Sequence, residues 1–196
     1  MLAALGLARY QGPGKGALET LLSLPLVLPP TAVGLVLLEA LGRRAPLGGW
    51  LARHGLEVVF TWKAVVLAMA VMGLPLFVRT VRAGIEQVDR RYEAAAATLG
   101  AGPLRVFFTV TLPLSRPAVL AGAVLGFARA LGEFGATVMI AGSIPGSTRT
   151  LAVAIYSFAE TGRDTDAALL VGVSAAIAFV ALALANWISS RPGVRA

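Results

Sequence analysis

The segment YEAAAATLGAGPLRVFFTVTLPLSRP, residues 92–117, is a polar interruption in an otherwise strongly apolar chain. It follows a charged stretch and contains four consecutive alanines, a Gly-Ala-Gly-Pro break and a Leu-Pro pair. Long apolar runs lie on both sides of it. Such runs are long enough to cross a bilayer, so the segment is predicted to be a water-exposed loop between membrane spans.

The segment is predicted to form two short helices that meet at an angle. Gly100 suits the left-handed position that follows a helix C-terminus. Pro103 suits the first turn of a second helix, which Pro113 is expected to interrupt. One face of the first helix, predicted over residues 86–99, would carry Val88, Tyr92, Ala95 and Leu99.

The alanine run has two interpretations that the residues alone leave open. Small side chains allow another backbone to approach closely, which favours a helix that docks into the groove of a partner protein. Alternatively, this is a solvated loop helix whose alanines serve only helix propensity.

The composition is that of an integral membrane protein. Of 196 residues, 57% are hydrophobic and 14% are charged, and the mean hydropathy is +0.80. The chain has no cysteine, which excludes disulfides and thiolate sites. The formal net charge is +7, but the basic residues flank the apolar runs. Lipid headgroups, and not nucleic acid, are therefore the expected partner.

Four spans are predicted within a transmembrane domain over residues 17–190. They lie at residues 20–38, 58–78, 117–140 and 167–190. The first should be bent or broken, because it contains Pro25, Pro29 and Pro30. The apolar piece at residues 151–159 is too short to cross and is predicted to be a surface or re-entrant helix.

Basic residues predict the orientation of the chain. The lead-in at residues 1–16, the loop at residues 79–116 and the tail at residues 191–196 fall on the same side of the membrane. That side carries Arg9, Lys15, Arg79, Arg82, Arg90, Arg91, Arg105, Arg116, Arg191 and Arg195. The other side carries Arg43, Arg44, Arg53, Arg149 and Arg163. The positive-inside rule therefore predicts that the loop is cytoplasmic.

The polar segment resembles the EAA loop of the ABC importer permeases. The motif reads Glu93-Ala94-Ala95, then Gly100, then Leu112-Pro113. This resemblance implies an all-α, multi-pass bundle with the type I importer permease fold. It also implies that the loop is a coupling helix, which sits in a groove of a cytoplasmic ATPase and relays its motion to the membrane helices.

Two further segments narrow the resemblance. LSLPLVLPPTAVG, residues 22–34, and FARALGEFGATVMIAGSIPGSTRT, residues 127–150, are similar to molybdate permease subunits, with sulfate permeases as close relatives. The implied function is ATP-driven import of molybdate or tungstate across a prokaryotic cell membrane, with sulfate or thiosulfate as the alternative. The implied partners are ATPase subunits, an extracytoplasmic binding protein and a second copy of the chain. Such permeases normally begin with another helix, so residues 1–16 are either a simple lead-in or its remnant.

Arg129, Glu133 and Phe134 are candidates for the translocation pathway. Arg129 and Glu133 share a helix face in an apolar stretch, where ionisable residues usually face the bundle interior. In one interpretation Arg129 supplies positive potential to a passing dianion and Glu133 holds the Arg129 side chain in place. In the other, the pair only fixes packing. Phe134 is either a hydrophobic constriction or a core residue. Pro29 and Pro30 either line the pathway through a broken helix or kink a packed one.

Residues that could support catalysis are scarce. The GPGKG run at residues 12–16 lacks the spacing and the Ser or Thr of a phosphate-binding loop. No histidine cluster suits a metal, and no cofactor is expected. The chain is predicted to be a transport subunit without a catalytic site of its own. The rival class is an integral membrane enzyme or sensor, which would need a nucleophile, base or metal constellation in the loop.

Overall fold

The computed structural model describes Gly6 and residues 12–189, and this part of the chain is helical without any strand. Most of the predicted lead-in, residues 1–16, and all of the predicted tail, residues 191–196, lie outside the described residues. A π-helical segment, Phe107–Thr111, lies between α6 and α7. The α-helices are α1 (Lys15–Val27), α2 (Pro30–Leu41), α3 (Pro46–Arg53), α4 (Trp62–Glu86), α5 (Arg90–Thr98), α6 (Pro103–Val106), α7 (Leu112–Leu131), α8 (Gly135–Ala141), α9 (Leu151–Glu160) and α10 (Asp164–Ser189).

Three helices are long and apolar enough to cross a membrane. They are α4, the continuous helix Pro103–Leu131 and the part of α10 at Asp164–Trp187. The pair α1 and α2 passes the same test together, although it is bent by 111°. By length and composition, the described residues therefore contain three candidate spans, or four if the bent pair is one span. This confirms the predicted all-α membrane class.

The break between α1 and α2 lies at a pair of prolines. Pro29 is the N-cap of α2 and Pro30 is its first residue. Proline has no backbone N–H to donate, and it disfavours the helical conformation of the residue before it. The pair therefore ends one helix and starts the next. Pro25, by contrast, lies inside α1.

The structure corrects the predicted third span, residues 117–140. The helix ends at Leu131, and a turn at Gly132 leads into the separate short helix α8. Two glycines flank this break, and glycine lowers helix propensity. The carboxylate of Glu133 also accepts the backbone N–H of Ala136, which stabilises a new helix start. Apolar content is similar on both sides of the break, so hydropathy alone does not reveal it.

The structure also corrects two features of the predicted loop. The helix predicted over residues 86–99 begins at Arg90, because the side chain of Asp89 caps it by accepting the N–H of Arg91 at 2.8 Å. Pro113 does not interrupt the second helix, which continues from Pro103 to Leu131. The π-helical segment ends two residues before this proline, and its wider turn changes the backbone hydrogen bonding there.

The packing divides the chain into two compact units. The larger one contains Leu22–Pro75 and Phe127–Phe179. In this unit α2 packs against α8, and an added Cβ on Gly34 would lie 2.7 Å from the Cα of Ala136. Small residues thus set the distance between these two helices. The buried core comprises Val33, Ala64, Ala68, Met72, Ala136, Ile140 and Ala141.

Among the described residues, the other unit contains Gly6 and residues 12–21, 76–126 and 180–189. Within it, α4 crosses α7 where Gly84 meets Ala118, and no space remains there for a Cβ on the glycine. The guanidinium of Arg82 lies 2.6 Å from the Glu19 carboxylate and 2.7 Å from that of Glu86. The first contact ties α1 to the end of α4, and the second lies within α4.

Candidate functional site

The predicted coupling loop begins with α5, whose two ends depend on single residues. Asp89 caps its start. At its end, Gly100 has a φ of +82°, a left-handed backbone conformation that residues other than glycine rarely adopt. Pro103 is then the first residue of α6. The structure therefore has the predicted helix–turn–helix form, with a shorter first helix.

The surface of this loop is largely uncovered. No residue of α5 is buried, and both Ala94 and Ala95 are exposed. Leu99 is 88% exposed and Leu104 is 76% exposed, although both are apolar. A helix with so little contact inside its own chain has a free surface on which another protein could pack.

Glu93 and Thr111 connect the two halves of the loop. The Thr111 hydroxyl donates a hydrogen bond of 2.6 Å to Oε1 of Glu93. Thr111 is only 2% exposed, and Glu93 is half-buried. Thr111 immediately precedes Leu112 and Pro113, which are also half-buried. The structure thus brings the first residue of the motif beside its last pair.

The π-helical segment determines how the loop enters the long helix. The backbone N–H of Leu112 donates to the carbonyl of Phe107, five residues earlier. Sequence reasoning assigned no role to Thr111 and did not anticipate the π turn. A threonine in a run of apolar residues was the available signal, but only the fold shows that its hydroxyl meets a carboxylate.

The predicted pathway pair is an ion pair that also caps a helix. Arg129 Nη1 lies 2.8 Å from Oε2 of Glu133. The other carboxylate oxygen of Glu133 accepts the backbone N–H of Ala136 at 2.8 Å. Glu133 is 1% exposed, whereas the Arg129 side chain is 30% exposed. The carboxylate is thus satisfied on both oxygens, and the guanidinium is the more accessible partner.

Two of the three remaining pathway candidates lie around the start of α8. The ring of Phe134 packs against Tyr156, with 4.8 Å between the ring centroids. Pro30 lies close to Gly135, where an added Cβ would sit 3.0 Å from the Cβ of the proline. Pro29, the cap of α2, is exposed. Four of the five candidates therefore lie at or directly beside the break between α7 and α8.

A separate cavity of about 900 Å³ lies between α2, α3 and residues 57–61. Arg43 and Glu57 both line it, and their side chains form an exposed ion pair. The hydrogen bond from Arg43 holds the pKa of the Glu57 carboxyl below its usual value. None of the predicted coupling or pathway residues lines this cavity.

The sequence matches those of known transport proteins over nearly its full length. The chain is 48% identical over 185 residues to the molybdenum transport system permease protein ModB of Escherichia coli K12, which covers 93% of this chain and 81% of that protein. It is 37% identical over 195 residues to the sulfate transport system permease protein CysT of the same organism, covering 100% of this chain and 70% of the relative.

The fold also matches a solved structure, that of a bacterial ABC transporter involved in the import of the acidic polysaccharide alginate. The TM-score is 0.72 at 20% identity, over 98% of this chain and 71% of that one. At this identity the likeness concerns the fold alone. The family described as binding-protein-dependent transport system inner membrane component matches residues 1–193. The chain therefore belongs to this family of inner membrane transport components.

Proposed function

We propose that the chain is the membrane-spanning subunit of an ATP-driven oxyanion importer. The main support for this proposal is the exposure of α5, the helix that contains the Glu93-Ala94-Ala95 motif. A helix outside the apolar spans with no buried residue is suited to docking on another protein. In this role the subunit supplies the pathway and a partner ATPase supplies the hydrolysis, so the chain needs no catalytic site of its own.

The cargo follows from the similarity to molybdenum permeases. A relative with that name is 48% identical to this chain, and the sulfate permease is 37% identical. We therefore propose molybdate or tungstate as the substrate, with sulfate or thiosulfate as the alternative. These dianions share charge and shape, so we assign their discrimination to the extracytoplasmic binding protein.

The assembly we propose is a homodimer with two ATPase subunits on its cytoplasmic side. The surplus of arginines around residues 79–116 supports a cytoplasmic location for the loop and the C-terminus. Closure of the ATPase subunits on ATP would draw the two copies of α5 together. The spans would then open the pathway toward the binding protein.

We further propose that the pathway passes the break between α7 and α8. The side chain of Arg129 is partly exposed, and it would attract a dianion while Glu133 holds its guanidinium in place. Phe134 would act as an apolar constriction, and Pro29 and Pro30 would leave the backbone of the first span open to the pathway. The competing interpretation is a purely structural ion pair, which the Glu133 cap on α8 also supports.

Reconstitution tests this function directly. The chain would be placed in liposomes with its ATPase and with binding protein loaded with molybdate, tungstate or sulfate. Stimulated ATP hydrolysis and uptake of molybdate or tungstate, without a response to sulfate, is the expected result. A response mainly to sulfate would retain the mechanism and change the cargo. Absence of any ATPase response to the three anions would contradict the proposal.

A matched experiment tests the docking surface. Gly102→Ala changes an exposed glycine with an ordinary φ and open space around it, so it serves as the control. Ala95→Glu places a charge on the exposed face of α5. The ATPase should co-purify with the Gly102 variant and be lost from the Ala95 variant. Equal recovery with both would show that this face does not hold the ATPase.

A further inference from the structure

The backbone connection between α5 and α6 has a glycine at each end. Gly100 has a positive φ, and an added Cβ on either Gly100 or Gly102 would meet nothing within 4 Å. Glycine leaves the backbone free to adopt many conformations. This connection alone is therefore a poor means of passing a displacement of α5 to the long helix that follows.

The hydrogen bond between Thr111 and Glu93 provides a second connection. It joins residues 18 positions apart, across the whole turn between the helices. Its length of 2.6 Å is typical of a hydroxyl that donates to a carboxylate. The loop is thus closed at its base by side chains as well as at its tip by the backbone.

Thr111 is well placed to fix the register of the long helix. It is the last residue of the π-helical segment, and its carbonyl accepts the Ser115 hydroxyl at 2.7 Å. A π turn contains more residues than an α turn, so it shifts the positions of the residues before it relative to those after it. The segment therefore influences which side chain of the helix meets Glu93.

The buried hydroxyl itself requires a reason. Valine has nearly the same shape, and a buried hydroxyl is costly unless it forms a hydrogen bond. Thr109, in the same segment, provides a comparison: it is exposed, and its hydroxyl donates to the carbonyl of Arg105 within the same helix. Of these two threonines, only Thr111 has a hydroxyl that bonds to another helix.

We infer that Thr111 is a positioning residue for coupling, which ties Glu93 to the start of α7 so that α5 and the long helix move as one piece. The inference rests on the proposed transport function. It gives Glu93 a role inside its own chain, as the acceptor of this hydrogen bond. The alternative is that the charge of Glu93 serves only to contact the ATPase.

Three threonine variants test this role in the reconstituted importer, with molybdate-loaded binding protein as the probe. Thr111→Val should retain the ATPase on co-purification, but molybdate uptake per ATP hydrolysed should fall by about tenfold, as expected from losing a hydrogen bond to a charged group. Thr111→Ser and the control Thr109→Val should remain within about twofold of the wild type.

Three results would overturn the inference. Thr111→Val could couple as well as the wild type, which would show that the hydroxyl is dispensable. Thr111→Ser could fall as far as Thr111→Val, which would assign the effect to packing. Thr111→Val could assemble and yet lose the ATPase, which would assign it to docking.

Glu93 allows the same hydrogen bond to be tested from its other partner, including the case in which Thr111→Val fails to assemble. Glu93→Gln keeps an oxygen acceptor and removes the charge, whereas Glu93→Leu removes both. We expect the Gln variant to retain several-fold more uptake per ATP than the Leu variant. Equal defects in the two would show that the charge, and not the hydrogen bond, matters.

A distance measurement separates this inference from the proposed function. The chain has no native cysteine, so spin labels can be attached to cysteines introduced at Ala97 and Phe108, which are both exposed. Thr111→Val should broaden the distance distribution between the labels without any partner present, and Thr109→Val should not. Broadening by Thr111→Val supports the tie even where the wild type transports no anion. An unchanged distribution would overturn it.

Discussion

The carboxylate of Glu133 accepts the backbone N–H of Ala136 at 2.8 Å and so caps the first turn of α8 from a position before the helix. The same carboxylate pairs with Arg129 at the end of α7. A buried acid thus joins two helix ends that hydropathy alone would merge into one span. Variants of Glu133 and Arg129 can therefore separate effects on folding stability from effects on transport.

Replacing Glu133 should destabilise the protein. Glu133→Ala leaves Arg129 without this partner and α8 without its cap, at a cost of about 3 kcal/mol, the lower end for breaking a buried pair because the guanidinium is partly exposed. Glu133→Gln keeps an oxygen for the N–H of Ala136 and should lose less. Thermal unfolding in detergent measures both, and an Ala variant as stable as the wild type would contradict the structural role.

Arg129→Gln tests the pathway proposal. Its side chain can still donate a hydrogen bond to Glu133, so the loss of folding stability should be modest. If the guanidinium attracts the anion, molybdate uptake should fall by at least about tenfold while the ATPase still co-purifies. Wild-type uptake by this variant, or by Arg129→Ala, would leave the pair with a packing role alone.

Gly34→Ala should weaken the packing of α2 on α8. The added Cβ would lie 2.7 Å from backbone atoms of Ala136, so the helices would have to separate. Overpacking of this kind costs about 1–3 kcal/mol. Gly172→Ala, in α10, is the matched control, because a Cβ there meets nothing within 4 Å. The melting temperature should fall for the first variant and not for the second.

Gly100→Ala should strain the turn after α5. At a φ of +82° the added methyl group costs about 1–2 kcal/mol even though the surrounding space is empty. Gly100→Asn should be tolerated better, because asparagine adopts the left-handed conformation more readily. Gly102→Ala, with a φ of −68°, should change little. Uptake per ATP and thermal stability should both follow this order.

Arg43 and Glu57 lie in the connections before and after α3, and the stabilisation from their ion pair should depend on pH. The hydrogen bond lowers the pKa of Glu57 in the folded protein. The resulting stabilisation is therefore present above the pKa of the unfolded carboxyl, about 4.3, and is lost as the pH falls through the lower folded value. Carbon-13 NMR of the Glu57 carboxyl should show this lowered midpoint. Arg43→Gln should move it upward, and an identical midpoint in that variant would contradict the assignment.

Several features of the fold were accessible from local sequence. The break between α1 and α2 follows from the chemistry of Pro29 and Pro30. The end of α5 follows from the conformational freedom of Gly100. The start of α6 follows from Pro103. In each case one or two residues restrict or free the local backbone, so no distant partner is needed.

Other features escaped prediction because local signals competed. Apolar periodicity suggested a helix from residue 86, but the Asp89 side chain starts it at Arg90. Pro113 suggested an interruption, but it lies in the first turn after a π-helical segment, and the helix continues through it. Both cases show that hydrogen bonds of particular groups outweigh average propensity.

The sequence by itself determined the membrane class, the break at Pro29 and Pro30 and the turn at Gly100, because hydropathy and the special geometry of proline and glycine act within a few neighbouring residues. Tertiary structure alone decided that Thr111 meets Glu93. It also decided that Gly34 lies against Ala136. The physical reason is that these contacts join residues from different helices, and their energies depend on distances and burial that arise only when the helices pack.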